Sequence, residues 1–306
     1  MKSRDGFSVG IDVGGTKTAM GLVSSEGVLL DYLNFETQSS KGIPDAARRM
    51  ADGIHGLLQS AGLSKDHLVG IGMGCPGPLD LEKGLVRNPY TLPGWETGSL
   101  TDAVADATGM PVRLENDADA ALLGECWVGA GQGRDPVMML TFGTGVGGAL
   151  RCQGRLLRGA RGEHPEIGLI PVQPGMAADY SGVEGSLESL ASGGGIAKRA
   201  EAIGFMDAQA VFEAADQGHE AAKALVQDAL SGVSVAAWIA VHAYHPECII
   251  LGGGLMDHHF ELYAQSMRQA ITRAVLVEAS AIEVVAARLG NQAGMLGAAS
   301  LWLRDR

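Results

Sequence analysis

The 306-residue chain lacks several features that would narrow its class at once. No apolar run reaches about 18 residues, so no transmembrane span is expected. The first residues hold no apolar core of a signal peptide. No cluster of basic residues is present, and the net charge is −12. Neither nucleic acid nor an anionic membrane surface is an expected partner for such a chain. The four cysteines, Cys75, Cys126, Cys152 and Cys248, include no C-x-x-C pair. Buried, reduced thiols in a cytoplasmic protein are the expectation. There is no H-E-x-x-H pattern, so His242, His245, His258 and His259 read as helix-end or solvated side chains rather than metal ligands.

Glycine, by contrast, is abundant at 45 residues, and much of it lies in turns. Two segments stand out, Val9–Thr18 (VGIDVGGTKT) and Leu140–Gly148 (LTFGTGVGG). Each joins two β-rich apolar runs. A Gly/Thr turn between strands offers backbone N–H groups and hydroxyls to a phosphate with no Cβ in the way. Two such turns suggest a nucleotide clamp. The first is neither a P-loop nor a dinucleotide fingerprint, because it leads into a strand rather than a helix. Within it, Gly14 and Gly15 admit close backbone approach, and Thr16 and Lys17 can donate to phosphoryl oxygens. Asp12, at the strand end, is placed to hold Mg²⁺ through water, since that ion keeps part of its hydration shell.

Length favours two domains. Strands are expected at Phe7–Val13, Thr18–Ser24 and Val28–Phe35, then a helix over Pro44–Ala61 and a strand at Val69–Gly74. Cys75–Gly98 has no period and reads as a long functional loop. Trp95 either anchors that loop near a ligand or simply packs. A helix over Leu100–Thr108, a strand at Pro111–Leu114 and a helix over Asp117–Val128 follow. Val137–Phe142, Gly147–Arg151 and Arg155–Leu157 repeat the opening strands, because Gly21 to Gly27 matches Gly148 to Gly154. Helices are expected over Gly185–Ile203, Ala208–Ala215, Glu220–Tyr244, Phe260–Val277 and Ala293–Leu303, with strands at Glu247–Leu251 and Ile282–Ala286. The pattern predicts an α/β chain of two domains, residues 1–116 plus 290–306 and residues 117–289. The crevice at the carboxyl ends of the strands is the expected site.

Leu114–Ala121 (LENDADAA) opens a helix with carboxylates in its first turn. Asn116 as cap and Asp117 as a dipole partner would explain it fully. Beside two phosphate turns, a second role arises. Phosphoryl transfer to a hydroxyl needs a carboxylate to accept the proton. The Glu115–Asp117 pair could suggest glycosidase chemistry, but spacing in sequence says nothing of carboxylate separation.

These motifs, with GMGCPG at Gly72–Gly77, GARGEHPEIG at Gly159–Gly168, LESLASG at Leu187–Gly193 and IILGGG at Ile249–Gly254, resemble the ROK family of repressors, open reading frames and kinases. The resemblance runs in order from residue 9 to about 299. It implies a two-domain actin-like (ribonuclease H-like) ATPase fold with duplicated βββαβαβα units, and ATP-dependent phosphorylation of a hexose, glucose first and fructose, N-acetylhexosamines or mannose after it. It implies Asp117 as the catalytic base. Asn116, Glu166 and Glu188 are implied as sugar ligands, with Gly77 and His164 beside them. Gly14, Gly15, Thr16, Lys17, Thr144, Gly145, Gly253 and Gly254 are implied at ATP, and Asp12 at Mg²⁺. Asp117–Ala130 and Ala293–Leu301 match paired helices where the domains meet. A homodimer is implied as well.

Two departures from the family pattern stand out. Many members hold a structural zinc with one His and three Cys. Here those positions are Leu169, Asp179, Ser181 and Ser186, so no zinc is expected and Val172–Glu188 needs another ordering device. His164-Pro165-Glu166 looks more like the fructokinase branch, which keeps a ketose in view. A sugar-sensing regulator is the competing class. Repressors of this family place a helix-turn-helix before the first glycine turn, whereas eight residues precede Val9 here. A plain ATPase of the same fold is a third reading, against which Glu166 and Glu188 argue.

Overall fold

A computed structural model describes residues 6–304. The chain divides into two compact units. Unit 1 takes the chain up to Gly133, Gly154–His164, and the chain from Arg288 onward. Unit 2 takes Arg134–Gln153 and Pro165–Ala287.

In unit 1 the apolar runs form β1 (Phe7–Val13), β2 (Lys17–Ser24) and β3 (Leu29–Glu36), an antiparallel meander. Helix α1 (Gly42–Ala61) then returns the chain to β4 (Leu68–Cys75), parallel to β1. The Cys75–Gly98 loop contains a small hairpin, β5 (Leu79–Asp80) and β6 (Leu85–Val86). Helix α2 (Leu100–Thr108), β7 (Val112–Asn116) and α3 (Asp117–Val128) follow. The sheet order is β3-β2-β1-β4-β7. Trp95 is fully buried and donates through Nε1 to Ser39 O at 3.2 Å, so it packs the core of this unit.

The second meander is β8 (Val137–Phe142), β9 (Val146–Cys152) and the two-residue β10 (Arg155–Leu156). In unit 2, α4 (Leu187–Ala191), α5 (Gly193–Ala200), α6 (Ala208–Asp216) and α7 (Glu220–Tyr244) precede β11 (Cys248–Gly252). Helix α8 (Met256–Ile271) and β12 (Glu283–Ala286) complete it, and α9 (Ala293–Leu303) ends the chain. The sheet order is β10-β9-β8-β11-β12. Two sheets with one shared order, three antiparallel strands and then two parallel ones, bear out the internal repeat and the actin-like fold that it implies.

Two expectations are corrected. The helix over Gly185–Ile203 is broken at Ser192, whose extended backbone ends α4 and whose hydroxyl caps α5 by accepting from Gly195 N at 2.8 Å. Cys152, the last residue of β9, is exposed rather than buried. Helix α7 is long and apolar enough, by length and composition, to cross a membrane. Its stripe of Ala229, Val233, Ala236, Ala237, Ala240 and Val241 is buried in the core of unit 2 instead.

The domain boundary also moves. Helix α3 was expected to open the second domain, but it belongs to unit 1, and the boundary falls after Gly133. The cause is its packing on α9. A Cβ on Gly297 would land inside the Ala120 carbonyl, and one on Gly124 would lie 3.0 Å from Gly297 N. Helix α9 meets the sheet just as closely. A Cβ on Gly10 in β1 would strike the Met295 carbonyl, and one on Gly72 in β4 would strike that of Ala298.

Such approach tolerates no added methyl group. Gly72→Ala is expected to destabilise the protein by about 1–3 kcal/mol, by pushing α9 off the strands. Gly56→Ala, in α1 with nothing within 4 Å of the new Cβ, is expected to stabilise it by about 0.4–1 kcal/mol. Denaturant titration of the two variants should show these opposite signs.

Candidate active site

Unit 1 presents its candidate residues at the carboxyl ends of β1, β4 and β7. Asp12 pairs in register with Gly74 of β4. In the turn after β1, Gly14 N donates to Lys17 O at 2.9 Å, and Thr37 Oγ donates to Gly14 O at 2.6 Å. Thr37 N donates to Thr16 O at 2.8 Å. These bonds use carbonyls of the turn and leave the side chains of Thr16 and Lys17 exposed. Gly15 lies against Thr91, where a Cβ would come 2.8 Å from Cγ2.

Thr91 belongs to the long loop, and buried Asn88 orders that loop. Its amide accepts from Tyr90 N and Thr91 N, at 3.2 and 2.9 Å, and donates to Gly77 O at 2.5 Å. Sequence reasoning missed Asn88. An Asn between Arg and Pro-Tyr signals only a turn.

Asn116 caps α3 as expected. Its Oδ1 accepts from Ala118 N at 2.9 Å and Asp119 N at 3.2 Å. Its Nδ2 faces Gly77, where a Cβ would lie 3.4 Å away. Asp117 Oδ1 accepts from Ala118 N at 2.9 Å. Burial raises the Asp117 pKa and Asp119 adds to the rise, while the Ala118 N–H and the charge of His164 pull it back. Burial also lifts Asp12, with help from the Asp117 charge, to about 6. The Cys75 thiol is pushed well up by burial and by both carboxylates. Gly294, near the start of α9, leaves room for the Asp12 carboxylate, since a Cβ there would lie 2.5 Å from Oδ2. A buried carboxylate so raised is one that a cation would relieve, so the Asp12 environment fits a magnesium ion. His164 Nδ1 is turned to Asp119 Oδ2 at 2.7 Å, a partner that the sequence did not suggest.

Unit 2 builds its turn differently. Between β8 and β9, Gly143 N donates to Gly145 O at 2.9 Å. The first amides of α5 then grip the turn from outside: Gly193 N donates to Gly143 O at 2.8 Å and Gly194 N to Thr144 O at 3.0 Å. The break at Ser192 makes these bonds possible. Glu188, on α4, accepts from Val146 N at 2.9 Å, and its carboxylate packs where Gly145 has no Cβ. Burial and the neighbouring Asp179 and Glu166 raise its pKa against that N–H bond. Glu166 is exposed, and Ile167 and Gly168 after it pack on Gly148 and Val146 of β9. Gly253, with φ of 88°, folds over the Phe142 backbone at the end of β8, and Gly254 beside it is unobstructed within 4 Å.

The segment Val172–Glu188 is ordered by hydrogen bonds. Asp179 Oδ1 accepts from Ser181 N at 2.8 Å, Ser181 Oγ at 2.6 Å and Val183 N at 3.1 Å. Burial opposes ionisation of Asp179, but the Ser181 and Ser186 hydroxyls and these amides outweigh it and hold the carboxyl below its usual range. Val172 N and Gln173 N both donate to Gly185 O. Asp179 and Ser181 therefore bond with each other, while Ser186 Oγ accepts from Ser189 N at 3.1 Å and caps α4. Among the described residues no group of three or more His, Cys, Asp or Glu side chains forms a metal cluster. His242 stacks on Trp238 and His259 on Phe212, at ring distances of 4.7 and 3.7 Å.

The raised Asp12 yields a test by titration. The unfolded chain releases this proton near pH 4, whereas the native protein holds it to about pH 6. Native protein therefore binds the extra proton, and its stability falls as pH rises through that window. Asp12→Asn is expected to raise the thermal midpoint of the ligand-free protein at pH 8, with up to about 3 kcal/mol at stake. The difference from wild type should shrink towards zero near pH 4. A difference that grows on acidification would contradict the assignment.

Comparison with known proteins agrees with this arrangement. The sequence pattern of the ROK family matches residues 8–305. The chain is 35% identical over 309 residues to a glucokinase of Thermotoga maritima, covering 96% of each. The structure of a ROK hexokinase from Thermus thermophilus superposes with a TM-score of 0.85 at 34% identity, covering 96% of each chain. That of a ROK family glucokinase from Streptomyces griseus, in complex with glucose and AMPPNP, gives 0.78 at 29% identity, covering 98% of this chain and 100% of the other. The chain belongs to the ROK family.

Proposed function

We propose that this protein is an ATP-dependent hexose kinase that phosphorylates glucose at its primary hydroxyl to give glucose 6-phosphate. One observation carries the reading. The β7–α3 junction presents the capping Asn116 and a raised Asp117 carboxylate beside Asp12, in the unit that also holds the first glycine turn. Likeness to glucokinases over the full length supports the substrate.

In this reading, Asp117 accepts the proton of the attacking hydroxyl. Its raised pKa suits a base, because a carboxylate with more proton affinity accepts a proton more readily. Asn116, through Nδ2, and the carboxylates of Glu166 and Glu188 hold sugar hydroxyls, which are good donors to such acceptors. Gly77 leaves space before Asn116. Gly14, Gly15, Thr16 and Lys17 in the first glycine turn, and Thr144 and Gly145 in the second, are the groups we assign to phosphate oxygens. Gly253 and Gly254 pass beneath the adenosine. Asp12 would hold Mg²⁺ through water, and that ion would offset charge on the phosphoryl oxygens.

The net charge and the absence of a basic cluster support a cytoplasmic enzyme without nucleic-acid or membrane partners. A homodimer is the assembly we propose for it. A sugar-sensing regulator is disfavoured, because Asp117 and Asp12 form a site with a proton acceptor that mere sensing does not need.

Coupled ADP release over a panel of glucose, fructose, mannose and N-acetylhexosamines tests the proposal. Turnover is expected to be fastest with glucose and near background without sugar. Equal ADP release with and without sugar would point to the plain ATPase. Asp117→Asn is expected to lower kcat by about 10²–10⁴-fold, while calorimetry still detects glucose binding. Near-normal turnover in that variant would exclude Asp117 as the base.

A further inference from the structure

The Gly154–His164 segment belongs to unit 1, and two of its side chains reach a pair of buried carboxylates. Glu115 and Asp119 are 2% and 0% exposed. The Arg158 guanidinium bridges them, 2.5 Å from Glu115 Oε1 and also bonded to Asp119 Oδ2. His164 Nδ1 lies 2.7 Å from that same Asp119 oxygen. These carboxylates flank Asp117 in sequence and are tied to its neighbour. Asn116 N donates to Glu115 Oε1 at 3.0 Å, and Asp119 N donates to Asn116 Oδ1 at 3.2 Å.

Burying two carboxylates is tolerable only when they are paired. Here the pairing side chains, Arg158 and His164, come from outside β7 and α3. Around Asp117 stand Asp12 from β1, Cys75 from β4, Glu115 from β7, Asp119 from α3, and Arg158 and His164 from the segment. Glu115 and Asp119 thus share Arg158, and Asp119 also meets His164. Without Arg158 and His164, like charges would press the first turn of α3 open.

We propose that Asp119, Arg158 and His164 are positioning residues for the transfer: they clamp the Asn116–Asp117 turn to the Gly154–His164 segment and so fix where the base and the Asn116 amide point. The inference rests on Asp117 being the base. It gives His164 a partner within the protein and a role that acts through another residue. A fork spanning Glu115 and Asp119 also explains why residue 158 is an arginine, since a lysine cannot span both.

Steady-state kinetics on folded variants, checked first by thermal melting, test the clamp. His164→Ala is expected to raise the glucose KM by about tenfold, with the ATP KM within about twofold of wild type, because misplaced groups lose the sugar first. His164→Gln, whose amide can still donate to Asp119, should recover most of that loss. Asp119→Ala should lose at least as much, and the double variant no more than Asp119→Ala alone, the signature of one coupled unit. Additive losses, a His164→Ala enzyme equal to wild type, or equal rises in both KM values would overturn the clamp. Should Asp119→Ala fail to fold, the His164→Ala and His164→Gln pair decides. The parent reading fails separately, if wild-type protein phosphorylates no hexose or Asp117→Asn keeps its turnover.

Discussion

Glycine on both sides lets α9 lie against β1 and β4 at backbone distance, and the candidate site of unit 1 depends on that approach. Gly10 and Gly72 open the sheet to the carbonyls of Met295 and Ala298, and Gly297 opens α9 to α3. Gly74 eases the approach of α3, since a Cβ there would lie a tight 3.1 Å from the Ala120 Cβ. Two helix starts are thereby drawn onto two neighbouring strand ends. The carboxylate of Asp12 comes to rest against Gly294, and that of Asp117 close enough for each charge to be felt. Larger side chains at these positions would separate the groups before any chemistry could be built on them.

The consequence is electrostatic. Asp12, Glu115, Asp117 and Asp119 crowd one end of a sheet, and the chain meets the excess in two ways. Glu115 and Asp119 are buried and paired with Arg158, and Asp119 also meets His164. Asp12 and Asp117 are left with raised proton affinity instead. That division separates the paired carboxylates from those whose proton affinity burial has raised. A paired carboxylate is held in place, whereas an unpaired one, desolvated, has reason to take up a proton or a cation.

Local signals were legible in the chain. The strand β1, the helices α2 and α3 and the Asn116 cap fall where period and capping chemistry place them, because each depends on residues within one turn or one strand. The repeat was legible for the same reason, through paired hairpins. What was not legible depends on partners distant in sequence. Alanines and glycines in α3 announce close packing without naming α9, so the boundary was set at Asn116 rather than after Gly133. Ser192 lies in a helix-compatible stretch, and only the carbonyls of Gly143 and Thr144, about 50 residues earlier, explain the break. Arg158 is a loop arginine until Glu115 and Asp119 are seen behind it.

The two copies of the repeat differ in what secures the glycine turn. In unit 1 the turn is held by Thr37 at the end of the same meander, so the structure is local. In unit 2 it is held by α5 from outside, and Glu188 occupies the Val146 amide at its base. A carboxylate beside a phosphate turn opposes anion binding unless something offsets it. Here the Val146 N–H donates to that carboxylate and partly offsets its charge. If Glu188 also accepts a sugar hydroxyl, as proposed, then one side chain touches both the phosphate turn and the sugar. An occupied sugar site would then brace the turn through Glu188 and Val146, giving the second copy of the repeat a sensitivity to substrate that the Thr37-locked first copy lacks.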